Sequence, residues 1–211
     1  MLSVSNLRCE RDDRILFHHL NYQFPVGQIT QLEGRNGAGK STLLRILAGL
    51  YTSYSGKVEW QNSLSEPTEL DFNDQMIFIG HKSAIKLTLT PLENLRFLLG
   101  IHQKVQENDL YRALELVGLR GYEEVLCRNL SAGQHRRVAL ARLYLTSAKI
   151  WLLDEVFTAI DKQGVTQLED FLSKKSKDGV CIILTTHHQL TLSNVQTLNL
   201  ENYVFSGGSD E

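Results

Sequence analysis

Long apolar runs are missing from this sequence. The longer runs, such as "FLLGI" and "IWLL", fall far short of the roughly 20 residues that a helix needs to cross a bilayer. The opening "MLSVSNLRCERDDR" carries charges where a signal peptide would have an apolar core. We therefore expect no membrane-spanning helix and no secretory leader, and we expect the chain to remain in the cytosol.

The sequence also has few cysteines and a small net charge. The three cysteines Cys9, Cys127 and Cys181 lie far apart without a C-x-x-C pair, and their odd number is typical of reduced thiols rather than of a metal site. The formal net charge is −2 and the sequence pI is about 6.4. Because nucleic-acid-binding domains usually carry a basic footprint, we expect no nucleic-acid partner.

The sequence has no internal repeat and no low-complexity tract, and its patterning divides into three regions. Residues 1 to about 32 alternate polar and apolar positions, with turn residues at Asp12-Asp13 and Pro25-Val26-Gly27, which predicts antiparallel strands. A helical region follows. From Lys149 onward, apolar strands alternate with a helix, which indicates a parallel sheet. With 211 residues of which 42% are hydrophobic, the chain can bury the core of one domain or of two closely joined lobes.

Two helix starts can be recognised in the middle region. Thr90, Pro91 and Glu93 form an N-cap, a first-turn proline and a capping-box partner for the helix "PLENLRFLLG". Asn108 is predicted to cap a second helix that ends at Gly118. Its apolar stripe consists of Leu110, Ala113, Leu114 and Val117. We interpret this stripe as core packing rather than as a cofactor site.

The segment "EGRNGAGKSTLL" has the spacing of a phosphate-binding P-loop. Its glycines allow consecutive amides to face an anion at the N-terminus of the next helix, Lys40 can reach the β and γ phosphates, and the Ser41 hydroxyl can bind Mg²⁺. The predicted ATP-binding residues of this loop are Gly34, Arg35, Asn36, Gly37, Ala38, Gly39, Lys40, Ser41 and Thr42. The alternative is a glycine-rich turn that only joins a strand to a helix.

A second candidate segment is the apolar strand "IWLLDE", which ends in two carboxylates. In a parallel sheet, ligands bind at the carboxyl ends of the strands. Asp154 is therefore predicted to help hold Mg²⁺, and Glu155 to accept a proton from the attacking water or to orient it. The alternative is that these carboxylates cap a helix.

The third segment is "NLSAGQHRRVALARLYL". Ser131 and Gln134 fit a capping box, so Ser131, Ala132 and Gly133 would lie at a helix N-terminus with exposed amides, which is a second anion site. The alternative is a well-capped helix without a ligand. That alternative explains the serine and the glutamine, but it leaves the glycine unexplained.

The motifs "GRNGAGKST", "LSAGQ", "LLDE" and "TTH", in this order and spacing, resemble the ATP-binding cassette (ABC) family over nearly the whole chain. The resemblance implies an α/β P-loop NTPase with a RecA-like core, an N-terminal antiparallel β lobe and an inserted helical lobe. On this basis residues 1–211 form a single nucleotide-binding domain, with residues 1–81 and 146–211 as core and β lobe and residues 82–145 as helical lobe. In the family two cassettes pack head to tail, and each ATP is held between the P-loop of one and the "LSAGQ" helix of the other.

Four further roles follow from the resemblance. "FTAID" is similar to the D-loop, which places Asp161 at the dimer seam, and His187 of "TTH" is similar to the switch histidine that contacts the γ-phosphate. The alternatives are a helix cap for Asp161 and a core histidine for His187. His81 stands where the family usually has the Q-loop glutamine, and Arg11 stands near the position of the aromatic residue that stacks on adenine. For these two, the alternatives are a strand-closing histidine and a solvated arginine.

Within the family, "CERDDRILF" and "MIFIGHKSAIKLTLTPLENL" are similar to the ATPase subunits of cytochrome c maturation systems, often described as haem exporters. This resemblance implies an ATP- and Mg²⁺-dependent motor bound peripherally, without a covalent anchor, to membrane subunits at the cytoplasmic face of the bacterial inner membrane. It would drive haem export or release of a haem-loaded chaperone. The alternatives are a soluble ABC-type ATPase that acts as an ATP-dependent binding protein, the motor of another exporter, and a P-loop kinase.

Overall fold

The computed structural model describes residues 1–60, 75–99, 105–192 and 194–204. An antiparallel sheet in the order β2-β1-β4 consists of β1 (Leu2–Arg11), β2 (Arg14–Phe24) and β4 (Tyr54–Trp60). The turn between β1 and β2 lies at Asp12 and Asp13, as predicted. Both residues have positive φ, 53° and 58°, which aspartate tolerates better than most residues.

A parallel sheet in the order β5-β6-β7-β3-β8 forms the second layer. Its strands are β3 (Ile29–Glu33), β5 (Met76–Ile79), β6 (Ile150–Asp154), β7 (Cys181–Thr185) and β8 (Val195–Asn199). The prediction that residues 1–32 are all antiparallel is wrong at β3, which pairs in parallel with β7 and β8. Strands β6 and β7 are buried along their whole length, which accounts for their continuous apolar sequences.

The described helices are α1 (Lys40–Leu47), α2 (Pro91–Leu99), α3 (Glu107–Leu116), α4 (Ala132–Ala141) and α5 (Lys162–Lys177). Short 3₁₀ turns occur at Cys127–Asn129, Arg142–Tyr144 and Leu200–Tyr203. Among the residues described, no helix combines the length and the apolar character that a membrane span requires.

The helix starts were predicted with unequal success. At α2 the capping box is confirmed, because Thr90 Oγ1 accepts from the Glu93 amide at 3.2 Å and a Glu93 carboxylate oxygen accepts from the Thr90 amide at 2.8 Å. The predicted continuation of this helix to Gly100 lies outside the described residues. At α3 the prediction of an Asn108 cap is wrong, since the helix begins at Glu107 and Gln106 is its N-cap without a side-chain bond.

Three hydrophobic clusters hold these elements together. One joins the antiparallel sheet, α1 and one face of the parallel sheet, and a second covers the other face with α5. The third packs α2, α3 and α4 on one another and includes the predicted stripe residues Leu110, Ala113 and Leu114. The parallel pairing brings the carboxyl ends of β3, β6 and β7 to one edge of the sheet, and three of the predicted motifs begin at this edge.

Candidate functional site

The loop after β3 is shaped by glycines in left-handed conformations. Gly34, Gly37 and Gly39 have φ values of 134°, 83° and 96°, and residues with a side chain rarely adopt these values. Gly39 is the N-cap of α1, and a Cβ there would lie 3.1 Å from Cβ of Leu16 and 3.1 Å from the ring of Phe17. The sequence therefore needs glycine to bring this loop against β2 and to present its amides at the helix N-terminus.

The Lys40 ammonium group lies across the same loop. Its Nζ donates to the carbonyl of Gly34 at 2.5 Å and to the carbonyl of Arg35 at 3.2 Å. The side chain thus folds back over the start of the loop rather than extending into solvent. This arrangement places a cation where the N-terminus of α1 already favours negative charge.

Asp154, the last residue of β6, is buried beside the loop with only 1% of its surface exposed. Its Oδ1 accepts from Ser41 Oγ at 3.0 Å and from Thr185 Oγ1 at 2.7 Å. Its Oδ2 is buried and, within the described part of the chain, accepts no hydrogen bond. A hydroxyl and an unpartnered carboxylate oxygen side by side are the oxygen ligands that Mg²⁺ prefers, so these residues fit the predicted metal site.

Glu155 follows in a left-handed backbone conformation, with φ 53°. Its amide donates to the Thr185 carbonyl at 3.1 Å and to Thr185 Oγ1 at 2.9 Å, which ties the turn to β7. The side chain is 17% exposed, and its Oε1 lies 3.5 Å from His187 Nε2. Such a conformation is uncommon for a residue with a side chain, and strained residues of this kind cluster at functional sites.

Most of these groups line one pocket of about 590 Å³, whereas Gly34 and Asp154 are not among its lining residues. It is lined by Arg11, Asp12, Arg14, Leu16, Asn36, Gly37, Gly39, Lys40, Ser41, Thr42, Glu155 and His187. Nine of the predicted residues are thus brought together, including Arg11, whose Nε lies 3.4 Å from a carboxylate oxygen of Asp12. Asp12, Arg14 and Leu16 were not predicted as site residues, although the turn between β1 and β2 was predicted.

The predicted capping box of α4 is confirmed, and it lies apart from this pocket. Ser131 Oγ accepts from the Gln134 amide at 3.2 Å, and Gln134 Oε1 accepts from the Ser131 amide at 2.9 Å. Neither residue lines the pocket of the P-loop. A Cβ on Gly133 would lie 2.9 Å from the carbonyl oxygen of Ala159. This close backbone approach explains the glycine that the capping pattern left unexplained.

Asp161 caps the helix that follows it, which is the alternative weighed for this residue. Its Oδ1 accepts from the Gly164 amide at 2.8 Å, and its Oδ2 accepts from Arg137 of α4. The hydrogen bond from Gly164, together with the nearby Arg137 guanidinium, lowers the pKa of the Asp161 carboxyl. Its role at a dimer seam stays a prediction.

His81 is exposed and does not line the pocket. It follows Gly80 at the end of β5, and the carbonyl of Gly80 accepts a hydrogen bond from Arg136. The structure therefore does not place His81 against the P-loop, in contrast to Arg11. Arg136 itself was not singled out from the sequence.

A buried carboxylate that sequence analysis missed holds the segment after His187. Glu169 of α5 is 4% exposed, and it accepts from the Thr191 amide at 3.0 Å and from the Thr191 hydroxyl. His188 Nε2 lies 3.5 Å from the same carboxylate. Because α5 and this loop are distant in sequence, no local pattern could have identified the pair.

Comparisons of the sequence with known proteins agree on one family. A profile of the family described as ABC transporter matches residues 17–158. Two curated relatives are both named "Cytochrome c biogenesis ATP-binding export protein CcmA". The relative from Hahella chejuensis is 50% identical and covers 92% of each chain, and the relative from Vibrio cholerae is 48% identical and covers 92% of this chain and 94% of its own.

Solved structures show the same fold at low identity. A putative ABC transporter ATP-binding protein from Pyrococcus furiosus superposes with a TM-score of 0.81 at 23% identity, covering 97% of this chain and 99% of its own. A bacterial ABC transporter cassette described as dimeric gives 0.79 at 21% identity, with 95% of each chain covered. A cassette bound to ADP and Pi gives 0.75 at 22% identity, covering 89% of this chain and 88% of its own.

Proposed function

The chain belongs to the ABC transporter family of ATPases, and from this membership we propose that it is the ATP-hydrolysing motor of a membrane complex for cytochrome c maturation. Hydrolysis would drive haem export or the release of a haem-loaded chaperone. The names of relatives with 45–50% identity over most of the chain support the pathway. A single observation carries the chemistry: Lys40, Glu155 and His187 line one pocket at the end of the parallel sheet.

The positions of the site residues support the following roles. The loop amides and Lys40 would bind the β and γ phosphates and neutralise charge as it develops on the γ-phosphoryl group. Glu155 would orient the attacking water and accept its proton, and His187, 3.5 Å from Glu155 Oε1, would contact the γ-phosphate. Ser41 and Asp154 would hold Mg²⁺, which supplies charge neutralisation at the phosphate oxygens.

The site would be completed by a second copy of the chain. Ser131, Gly133 and Gln134 lie at the N-terminus of α4 outside the pocket, where they suit an ATP bound by another protomer. Head-to-tail packing would bring the α4 N-terminus of each copy to the P-loop of the other, with Asp161 at the seam. One of the structural neighbours is itself described as dimeric, which is consistent with such packing.

The helical lobe, proposed as residues 82–145, would dock the membrane subunits at the cytoplasmic face of the inner membrane. Leu87 and Phe97 expose 51% and 44% of their surface there, and the Lys86 ammonium lies 3.6 Å from the centre of the Phe97 ring. The loop that carries Leu87 is held rigidly, because buried Asn94 accepts from the Lys86 amide at 2.8 Å and donates to the Lys86 carbonyl at 3.0 Å. An apolar surface on a fixed loop suits a stable protein contact.

His81 would couple this contact to the nucleotide. It begins the segment that leads from β5 into the helical lobe, so it can respond to the orientation of that lobe. We expect His81→Ala to keep complex assembly and most ATP binding, but to lose the stimulation of hydrolysis by the membrane partner. Such a coupling typically corresponds to about 1–3 kcal/mol. Unaltered partner-stimulated ATPase activity in this variant would contradict the coupling role.

Deletion and co-purification test the function as a whole. We expect deletion of the gene to abolish c-type cytochromes, and expression of the wild-type chain, but not of Glu155→Gln, to restore them. We also expect the chain purified from membranes to bring integral membrane subunits with it, without nucleic acid. Normal cytochrome c levels after deletion would overturn the pathway, and co-purification with ribosomes instead of membrane subunits would favour a soluble ATP-dependent binding protein.

A further inference from the structure

A buried arginine connects three of the elements on which the proposed function rests. Arg136, on α4, is only 4% exposed. Its Nη1 donates to the Gly80 carbonyl and its Nη2 to the Asp154 carbonyl, each at 2.7 Å. Gly80 directly follows β5 and precedes His81, whereas Asp154 ends β6 and precedes Glu155.

Burying the charged Arg136 side chain costs desolvation free energy, which its hydrogen bonds must offset. Desolvation lowers the pKa of the Arg136 guanidinium, although the nearby carboxylates of Asp154 and Glu155 act in the opposite direction. Its Nε is buried and, among the residues described, has no hydrogen-bond partner. A planar cation that reaches two backbone carbonyls through separate nitrogens fixes their relative position more closely than a flexible ammonium could.

We propose that Arg136 is a positioning residue that transmits the orientation of α4 to the backbone of Glu155 and His81. The helix that carries Arg136 begins with the capping box of Ser131, which the proposed dimer places against the ATP of the other copy. A shift of α4 would therefore move the two carbonyls together, and with them the residues that follow them. The proposal rests on the proposed function, because it concerns when the Glu155 site becomes active.

The geometry predicts a specific pattern of kinetic effects. Arg136 does not line the pocket, so its removal should leave the binding of ATP to one chain nearly unchanged. Glu155 is held in a strained left-handed conformation, and losing one of the contacts at its preceding residue should misplace its carboxylate. A displacement of about 1 Å can cost about a hundredfold in rate. The effect should therefore fall on kcat rather than on KM.

The test compares Arg136→Met and Arg136→Lys with wild type and with Arg142→Gln in the membrane-derived complex. Arg142 is a partly buried arginine, six residues further along, whose Nε is buried and has no hydrogen-bond partner among the described residues. We expect Arg136→Met to lower kcat at least about tenfold with the KM for ATP within about twofold of wild type. Arg136→Lys should recover part of kcat, since it retains the charge but not the planar fork. Arg142→Gln should match wild type.

Hydrogen exchange supplies a readout independent of turnover. In Arg136→Lys we expect faster exchange of the peptides that contain Gly80–His81 and Asp154–Glu155, with the interior of α4 unchanged. Wild-type kcat in Arg136→Met, or equal loss in Arg142→Gln, would overturn the proposal. If Arg136→Met does not fold, unchanged kcat and exchange in Arg136→Lys would do so. Normal c-type cytochrome levels after deletion of the gene would instead refute the proposed function, and near-normal activity in Glu155→Gln would refute the role of Glu155 as base.

Discussion

Glu155 illustrates how one residue combines a side-chain role with an unusual backbone. Its φ of 53° turns the chain sharply after β6, and two hydrogen bonds from its amide to Thr185 hold that turn. The carboxylate thereby enters the pocket beside His187 rather than continuing the strand. The contacts with β7 offset the strain and hold the carboxylate at the pocket.

We expect Glu155→Gln to retain ATP binding and to lose nearly all turnover, with a loss of at least about a hundredfold for a missing general base. Gln has the same shape and leaves Lys40, Ser41 and Asp154 intact. Steady-state ATPase activity of the assembled complex, with nucleotide affinity measured in parallel, checks this outcome. Glu10→Gln, an exposed carboxylate of β1 outside the pocket, is the control and should behave as wild type. A near-normal rate in Glu155→Gln would refute its role as base.

Arg11 provides a weaker contact, and its predicted effect is correspondingly small. It lines the pocket from the end of β1, and its side chain is 54% exposed. If its guanidinium stacks on adenine, the contact contributes about 0.5–1 kcal/mol, so Arg11→Ala should weaken ATP binding a few-fold. Arg8→Ala is a matched control, because Arg8 lies on the same strand, is 53% exposed and does not line the pocket. Equal affinities for Arg11→Ala and Arg8→Ala would indicate a solvated arginine at position 11.

The site residues that could be predicted are those that belong to short motifs with a characteristic spacing. Lys40, Asp154 and Glu155 follow from short motifs next to a strand or helix end. Arg136 and Glu169 could not be found in this way, because their hydrogen-bond partners are not close to them in sequence. Arg136 bonds to Gly80, and Glu169 bonds to Thr191. A buried charge acquires its role only when the fold brings those partners to it.

At the scale of elements, α2 and α4 form a natural pair, because both begin with a complete capping box. Replacing an N-cap serine or threonine by alanine typically costs about 0.5–2 kcal/mol. We expect Ser131→Ala and Thr90→Ala to lower the free energy of unfolding by similar amounts in chemical denaturation. Only Ser131→Ala should also lower ATPase activity of the assembled complex, since only α4 is proposed to face a nucleotide. Equal loss of activity in both variants would show that the cap of α4 has no role beyond stability.

The success of these helix predictions depended on how local the signal was. A capping box involves residues three positions apart, so "TPLE" and "SAGQ" were sufficient. At α3 the residue type of Asn108 predicts a cap, but the helix begins one residue earlier, at Glu107, with acidic Glu107 and Asp109 in its first turn. Negative charge near a helix N-terminus is favourable without a side-chain cap, so these carboxylates stabilise a start at Glu107.

At the scale of the whole molecule, the parallel sheet makes the P-loop part of the stable core. Helix α1 has five buried residues and packs into the same cluster as β1 and β2. A ligand that binds only the folded chain at one hundred times its Kd stabilises it by about 2.7 kcal/mol. We therefore expect ATP with Mg²⁺ to raise the melting temperature of wild type and of Glu155→Gln, but far less that of Lys40→Ala. An equal shift in Lys40→Ala, measured by thermal denaturation, would contradict the role of this lysine in binding.

The order of the strands was the part of the fold that the sequence could not supply. The alternation of strands and helices after Lys149 predicted a parallel sheet, and this is confirmed. It did not reveal that β3, which follows two antiparallel strands, lies between β7 and β8. Strand pairing depends on which apolar faces meet in the folded chain, and β3 pairs with strands more than 140 residues away.

The burial of all three thiols has a practical consequence for spectroscopy. Cys9, Cys127 and Cys181 are free and buried, and burial raises the pKa of the Cys181 thiol to about 12. Since thiolates rather than thiols react with maleimides, maleimide dyes should not label the natural cysteines of the folded chain. A cysteine introduced at exposed Asn129, just before the capped start of α4, could then carry a donor or an acceptor fluorophore. Energy transfer between two such labelled copies would follow their approach as nucleotide is added, without removal of any natural cysteine.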